Sequence, residues 1–344
     1  MASWHNSAKA RFMLVLGLLA GALAFGALYG CKAAPPSEPA AAGPTTMPSA
    51  DASAAEAPTT GLSPRQLTFS SPADALAALI AAAKTKDEAE LRELLGPALD
   101  DVISADPVQH ANDLEGFATH ASEADRVEQT EDGKAIVHIG KQDWPFPIPL
   151  VKNVSGQWYF DTAAGKDEIL NRRIGNDELS TIAVVRAYVD AQREYASQDR
   201  MGDSVLQYAQ KIKSTPGKHD GLYWPVAEGE DESPLGPLVA EAQDQGYGKK
   251  LGSGRQPYHG YFYRILTKQG PATPAGAYDY IINGRMIAGF AMVAYPAQYG
   301  NTGIMTFIVN HQGKVYQKDL GTGTTEAVSQ MDTYNPDDGW TPVQ

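Results

Sequence analysis

The sequence predicts an α+β protein: two small helix-plus-antiparallel-sheet units behind an apolar leader and a structureless tether. Three observations support that class. Apolar residues recur at helical spacing over residues 72–95 and again over 179–195. They alternate with a period of two over 135–161 and 261–320, and Gly- or Asn-rich turns separate the alternating runs. At 344 residues the chain is long enough for two ordinary domains.

Residues 1–30 carry Lys9 and Arg11 and no acidic residue, and an apolar run from Phe12 to Tyr29 stops at Gly30-Cys31. This is the layout of a secretory signal. At 18 residues the run is at the short limit for a retained membrane-spanning helix. Leu28-Tyr29-Gly30-Cys31 resembles the lipobox of bacterial lipoproteins, in which small residues precede a cysteine that is acylated and becomes the new N-terminus. Cys31 is the only cysteine, so no disulfide forms within the chain, and lipid attachment explains a lone exported thiol. By resemblance to Gram-negative sorting signals, Lys32 in place of an aspartate implies the outer membrane, facing the periplasm.

Loss of residues 1–30 removes two positive charges and no negative ones, which moves the formal net charge from −13 to −15. So acidic a chain does not hold nucleic acid or anionic lipid head groups by charge. The partners expected are the membrane, through the N-terminal lipid, and another envelope protein. Residues 31–65 are dominated by Ala, Pro, Ser and Thr with no aromatic residue, the composition of a flexible tether.

The first unit, residues 66–175, opens with Ser71 as a helix cap, Pro72 at the first helical position and Asp74 in the first turn. Leu76, Leu79, Ile80 and Ala83 give that helix one apolar face to about Lys84. A second helix is capped by Asp87, carries Leu91, Leu94 and Leu95, and stops at Gly96-Pro97. Residues 106–124 read as a helical pair. Strands are expected at 135–139, 146–152 and 157–161, and the prolines at 145, 147 and 149 put the middle strand on an edge. Helices followed by a meander that ends in Gly-Gln-Trp-Tyr-Phe-Asp at 156–161 resemble nuclear-transport-factor-like and cystatin-like modules.

The second unit, residues 176–344, begins with a helix capped by Asn176. Leu179, Ile182, Val185, Tyr188, Val189 and Tyr195 form its apolar side. Residues 198–257 are rich in Gly, Pro and charge, with one short helix at 235–245, and an irregular stretch that long is usually functional or mobile. A meander follows over 260–321. Tyr261–Leu266 alternates, Asn283-Gly284 suits a tight hairpin, and 286–294 is apolar enough for a central strand in which Gly289 admits a close neighbour. One long helix, an irregular stretch and a meander resemble the head of type IV pilin-like proteins, although Arg186, Asp190 and Arg193 interrupt the helix, so polymerisation is not implied. The motifs at 156–161, 171–178 and 187–192, with the 260–321 sheet, resemble the bacterial family DUF2950 over essentially everything after Phe69. That resemblance implies no activity.

No P-loop, nucleophile elbow or clustered metal-type histidines occur in the sequence, so no catalytic residue, metal or cofactor is expected. Asp332, Asp337 and Asp338 near the C-terminus offer oxygen donors of the kind calcium prefers, but their spacing departs from an EF-hand loop. Arg172, Arg173 and Asp177 fall at the joint of the two units, where arginine pairs with carboxylates such as Asp161, Asp167 or Asp177 fix an angle. Trp224, Tyr258, Tyr261, Tyr263, Tyr295 and Tyr299 supply the aromatic side chains of a recognition surface. The function expected is therefore a non-catalytic binding or assembly component of the cell envelope. Its rivals are an enzyme with a site between the units and a structural helper for a neighbouring secreted protein.

Overall fold

A computed structural model describes residues 65–343 apart from 124, 227, 228, 230, 231 and 249–254. The signal, Cys31 and nearly all of the tether lie outside the described residues. The architecture is α+β, with helices and antiparallel sheets arranged around two hydrophobic clusters.

In α1 (Pro72–Thr85), Ser71 accepts a hydrogen bond from the Asp74 amide and Pro72 holds the first position, as the sequence indicates. Asp87 caps α2 (Glu88–Leu95) through the amides of Ala89 and Glu90, and Gly96 ends it at φ +72°. Residues 107–123 make one helix, α3 (Pro107–Glu123), where a pair was expected. Gly116 alone weakens a helix by only about 1 kcal/mol, too little to split it.

The first sheet comprises β1 (Asp125–Gln129), β2 (Ala135–Ile139), β3 (Trp144–Pro145), β4 (Leu150–Lys152) and β5 (Trp158–Phe160). Its antiparallel order is β1-β2-β4-β5, with β3 also on β2. The proline-rich run is therefore not a single edge strand. Pro147 and Pro149 break it into β3, which pairs β2 alone, and β4, which is flanked on both sides. Leu76, Leu79, Leu91, Leu94, Val137, Leu150 and Phe160 fill the first core.

The long helix α4 runs from Thr162 to Tyr195, 34 residues, and thus about 51 Å. Its cap is Asp161, which accepts from the Ala164 amide, and Asn176 lies mid-helix rather than at the start. No proline interrupts residues 162–175, so the helix forms across the whole span. The first turns of α4 serve the first core. Thr162 donates to the Leu95 carbonyl, and a side chain at Gly165 would stand 2.6 Å from the Pro147 oxygen. Its last turns bury Val185, Tyr188, Val189 and Tyr195 in the second core. One rigid element is thus shared by both.

After α5 (Gly236–Asp244) come β6 (Tyr261–Leu266), β7 (Lys268–Gln269), β8 (Tyr278–Asp279), β9 (Ile281–Ile282), β10 (Arg285–Met286), β11 (Ala291–Pro296), β12 (Met305–Asn310) and β13 (Tyr316–Asp319). The chain ends with α6 (Thr324–Ser329), β14 (Thr333–Tyr334) and β15 (Thr341–Pro342). The main second sheet has order β15-β13-β12-β11-β6, antiparallel throughout. Asn283 and Gly284 sit at φ +50° and +78° between β9 and β10, the tight hairpin expected of that dipeptide. Gly289, at φ +148°, ends the apolar run's pairing early. A Cβ there would lie 2.7 Å from His311 Nδ1 and 2.8 Å from the Tyr280 ring, so the strand starts at Ala291.

Candidate functional site

Asp106 is the point where the two cores are tied. It is 0% exposed and precedes Pro107, the first residue of α3. Its Oδ1 accepts from the amides of Val108 (3.1 Å) and Gln109 (3.2 Å), which caps the helix. Its Oδ2 accepts from the Tyr247 hydroxyl at 2.9 Å and the Gly260 amide at 3.1 Å, both in the second half of the chain. A buried carboxylate is costly unless hydrogen-bonded, and four donors meet that requirement.

A second clasp lies beside it. Asn301 Oδ1 accepts from the Ala105 amide at 3.1 Å while its Nδ2 donates to the Ile103 carbonyl at 3.0 Å. Further along α4, Glu178 Oε1 accepts from the amides of Ile304 and Met305, which aligns the start of β12 with the helix.

Around these clasps lie Gln109, Asp113, Arg173, Asp177, Tyr247, Tyr258 and His259. Gln109 Nε2 donates to Asp177 Oδ1 at 2.5 Å. Burial pushes the Asp177 carboxyl up to about 8, against the opposing pulls of Gln109 and Arg173, and pushes Asp113 up to about 6. Burial lowers the His259 imidazole, which favours its neutral form. Tyr258 packs on Tyr247 and His259 with ring centroids 4.9 and 4.2 Å away.

Of the joint residues singled out in the sequence, Arg173 and Asp177 meet in this cluster and Arg172 does not. Arg173 donates to the Val102 carbonyl, whereas Arg172 pairs with Glu168 at 2.6 Å and lies over the Trp144 ring. Asp161 is engaged as the helix cap instead. Asp106, Gln109, Asp113 and Asn301 were not anticipated, because their roles depend on contacts reaching up to 198 residues along the chain. An Asp-Pro pair before a helix was the available signal for Asp106.

The aromatic candidates divide. Trp224 and Tyr261 are core residues, Trp224 stacked on His219 at 4.3 Å and Tyr261 donating to the Met305 carbonyl. Tyr258, Tyr263, Tyr295 and Tyr299 are half-buried. Tyr295 packs across the sheet on Phe262, and Arg255 lies 4.9 Å over that ring. Asp332 faces Lys268 at 3.0 Å and Asp337 faces Lys318 at 3.6 Å, while Asp338 joins neither pair. Among the described residues no three His, Cys, Asp or Glu side chains group to hold a metal ion.

Several large apolar side chains are exposed on the β9–β10 hairpin and on the segment before it in the chain that pairs with it. Leu206 is 59% exposed, and Met201, Ile282 and Ile287 are exposed as well. The strap carrying Leu206 is fixed to the hairpin. Tyr208 donates its amide to the Met286 carbonyl at 2.8 Å, Gln210 Nε2 donates to the Gly284 carbonyl at 2.8 Å, and Asp203 pairs with Arg285 at 2.9 Å. No helix among the described residues is long and apolar enough to cross a membrane.

A family model described as a protein of unknown function, DUF2950, matches residues 66–343. No curated protein and no solved structure matches the chain.

Proposed function

The chain belongs to the DUF2950 family of proteins of unknown function, and from that premise we propose that it is a lipid-anchored, non-catalytic binding component of the bacterial envelope. Cys31 carries the lipid, on the strength of the lipobox-like Leu28-Tyr29-Gly30-Cys31, and the acidic body stands off the membrane on the tether. The likeness of the long helix and meander to a pilin-like head supports a role in assembly, without polymerisation.

The observation that carries the binding role is the exposed apolar group at Leu206, Ile282 and Ile287, held on a hydrogen-bonded strap and hairpin. Apolar side chains fixed in water on a rigid support lose little entropy when a protein partner covers them. Catalysis at the joint is opposed by burial, since Asp106 and Asp177 are both 0% exposed and a substrate does not reach them. Photocrosslinking in intact cells tests the reading. A crosslinking residue at position 206 or 282 captures a discrete envelope protein, and one at Glu128, on the first sheet, does not. Equal labelling from all three positions, or from none, contradicts it.

A further inference from the structure

Two oxygens are left without a donor on one pair of touching side chains. Gln109 Nε2 donates to Asp177 Oδ1, yet Gln109 Oε1 and Asp177 Oδ2, both buried, have no hydrogen-bond partner. An ionised carboxylate only accepts, so it can take the amide N–H and has nothing to return to the amide oxygen. A protonated carboxylic acid is complementary to a primary amide in both directions, with one N–H···O and one O–H···O bond. Leaving both oxygens unsatisfied costs about 1–3 kcal/mol each, and a proton on Asp177 Oδ2 directed at Gln109 Oε1 would remove both penalties.

We propose that Asp177 rests as a neutral carboxylic acid whose Oδ2 proton is given to Gln109 Oε1, and that release of this proton to solvent base loosens α3 from α4. The pair is then a proton-operated clasp between the two cores, a property independent of what the exposed surface binds.

The surroundings favour the neutral form. α3 and its cap present Asp106, His110 and Asp113 to this region, and α4 presents Arg173 and Glu178. The segment before β6 adds Tyr247, Tyr258 and His259, and β6 adds Tyr261 and Tyr263. Burial lowers both His110 and His259, so Arg173 faces the carboxylates as the one cation at neutral pH among these described groups. Gly260 closes the remaining side: a Cβ there would lie 2.5 Å from Asp177 Oδ2. These constraints agree with a carboxyl raised to about 8.

The sign follows from linkage. With the folded value raised above the ordinary aspartate value, the closed joint binds a proton that the open joint releases. Its advantage is complete below about pH 4 and is lost as pH rises toward 8, at up to about tenfold in the opening constant per pH unit.

Hydrogen exchange on the full mature chain between pH 5 and 8, corrected for intrinsic base catalysis, reads this directly. Opening at the amides of Val108, Gln109 and Gly260 rises by about tenfold per unit in the wild type, while β11 and β12 amides hold steady. In Asp177→Asn, whose amide N–H serves Gln109 Oε1 at every pH, the same amides change by no more than about tenfold across the range, the share that Asp113, raised to about 6, supplies. Matching pH profiles for wild type and variant overturn the proposal. Should the variant not fold, the size of the wild-type rise decides, because Asp113 alone supplies only about tenfold between pH 5 and 8 and Asp177 more than about a hundredfold. A rise of more than about a hundredfold confined to the joint supports the clasp, and a rise of about tenfold or less, or one shared equally by β11 and β12, overturns it.

Discussion

Tyr247 donates its hydroxyl to Asp106 Oδ2 at 2.9 Å, across 141 residues of chain. The same oxygen takes the Gly260 amide while the other caps α3, so one side chain sets the helix start and ties it to the second core. Asp106→Ala leaves four donors unmet and is expected to cost at least about 3 kcal/mol, against about 1–2 kcal/mol for Tyr247→Phe. Urea unfolding followed by circular dichroism ranks the two, and equal effects would show that the cap matters less than the cross-chain bond.

Asn301 holds the irregular segment that enters α3, through an acceptor and a donor on one amide. Asn301→Ala removes both bonds and is expected to lose about 1–3 kcal/mol. Asn301→Asp retains the acceptor for Ala105 but sets a carboxylate oxygen against the Ile103 carbonyl, so in the same unfolding experiment it should also fall below the wild type.

Gly260 is required twice. Its φ of +71° suits glycine, and a Cβ would stand 2.5 Å from Asp177 Oδ2 and 2.8 Å from Thr302 Cβ. Gly260→Ala is expected to destabilise by about 2–4 kcal/mol through backbone strain and overpacking together. Gly284→Ala, at φ +78° with nothing within 4 Å, carries the strain alone and should lose only about 1–2 kcal/mol. Comparable losses at both positions would contradict the crowding.

On the exposed face, Leu206→Ser and Ile282→Ser should change stability by no more than about 0.5 kcal/mol, as surface positions do. They are expected to abolish crosslinking from a neighbouring position while the melting curve stays put. Retained crosslinking in the double variant would mean that these side chains are not the contact.

Much of the fold was legible locally. Ser71-Pro72 and Asp87 announced their helices, and Asn283-Gly284 announced its hairpin, because a cap or turn is specified by adjacent atoms. Gly289 signalled a close approach, and the His311 and Tyr280 side chains are what approaches. The start of α4 was misplaced because Asn176 is a good cap in isolation, whereas the first core needs the helix capped at Asp161, fifteen residues earlier. β1 went unseen because Val127 is its only apolar side chain, leaving no alternation to detect, and pairing with β2 makes it a strand. The joint was visible only in Arg173 and Asp177. Asp106, Gln109 and Asn301 are ordinary polar letters until tertiary structure brings their partners, and no periodicity encodes that.

The functional account requires the folded body to be held at a membrane by a lipid on Cys31. Growth of cells in labelled palmitate, followed by immunoprecipitation and detergent-phase partition of wild type and Cys31→Ala, tests that requirement most directly. The account predicts label and detergent partition in the wild type and neither in the variant. Equal labelling of both, or an unlabelled wild type that retains residues 1–30, would contradict it.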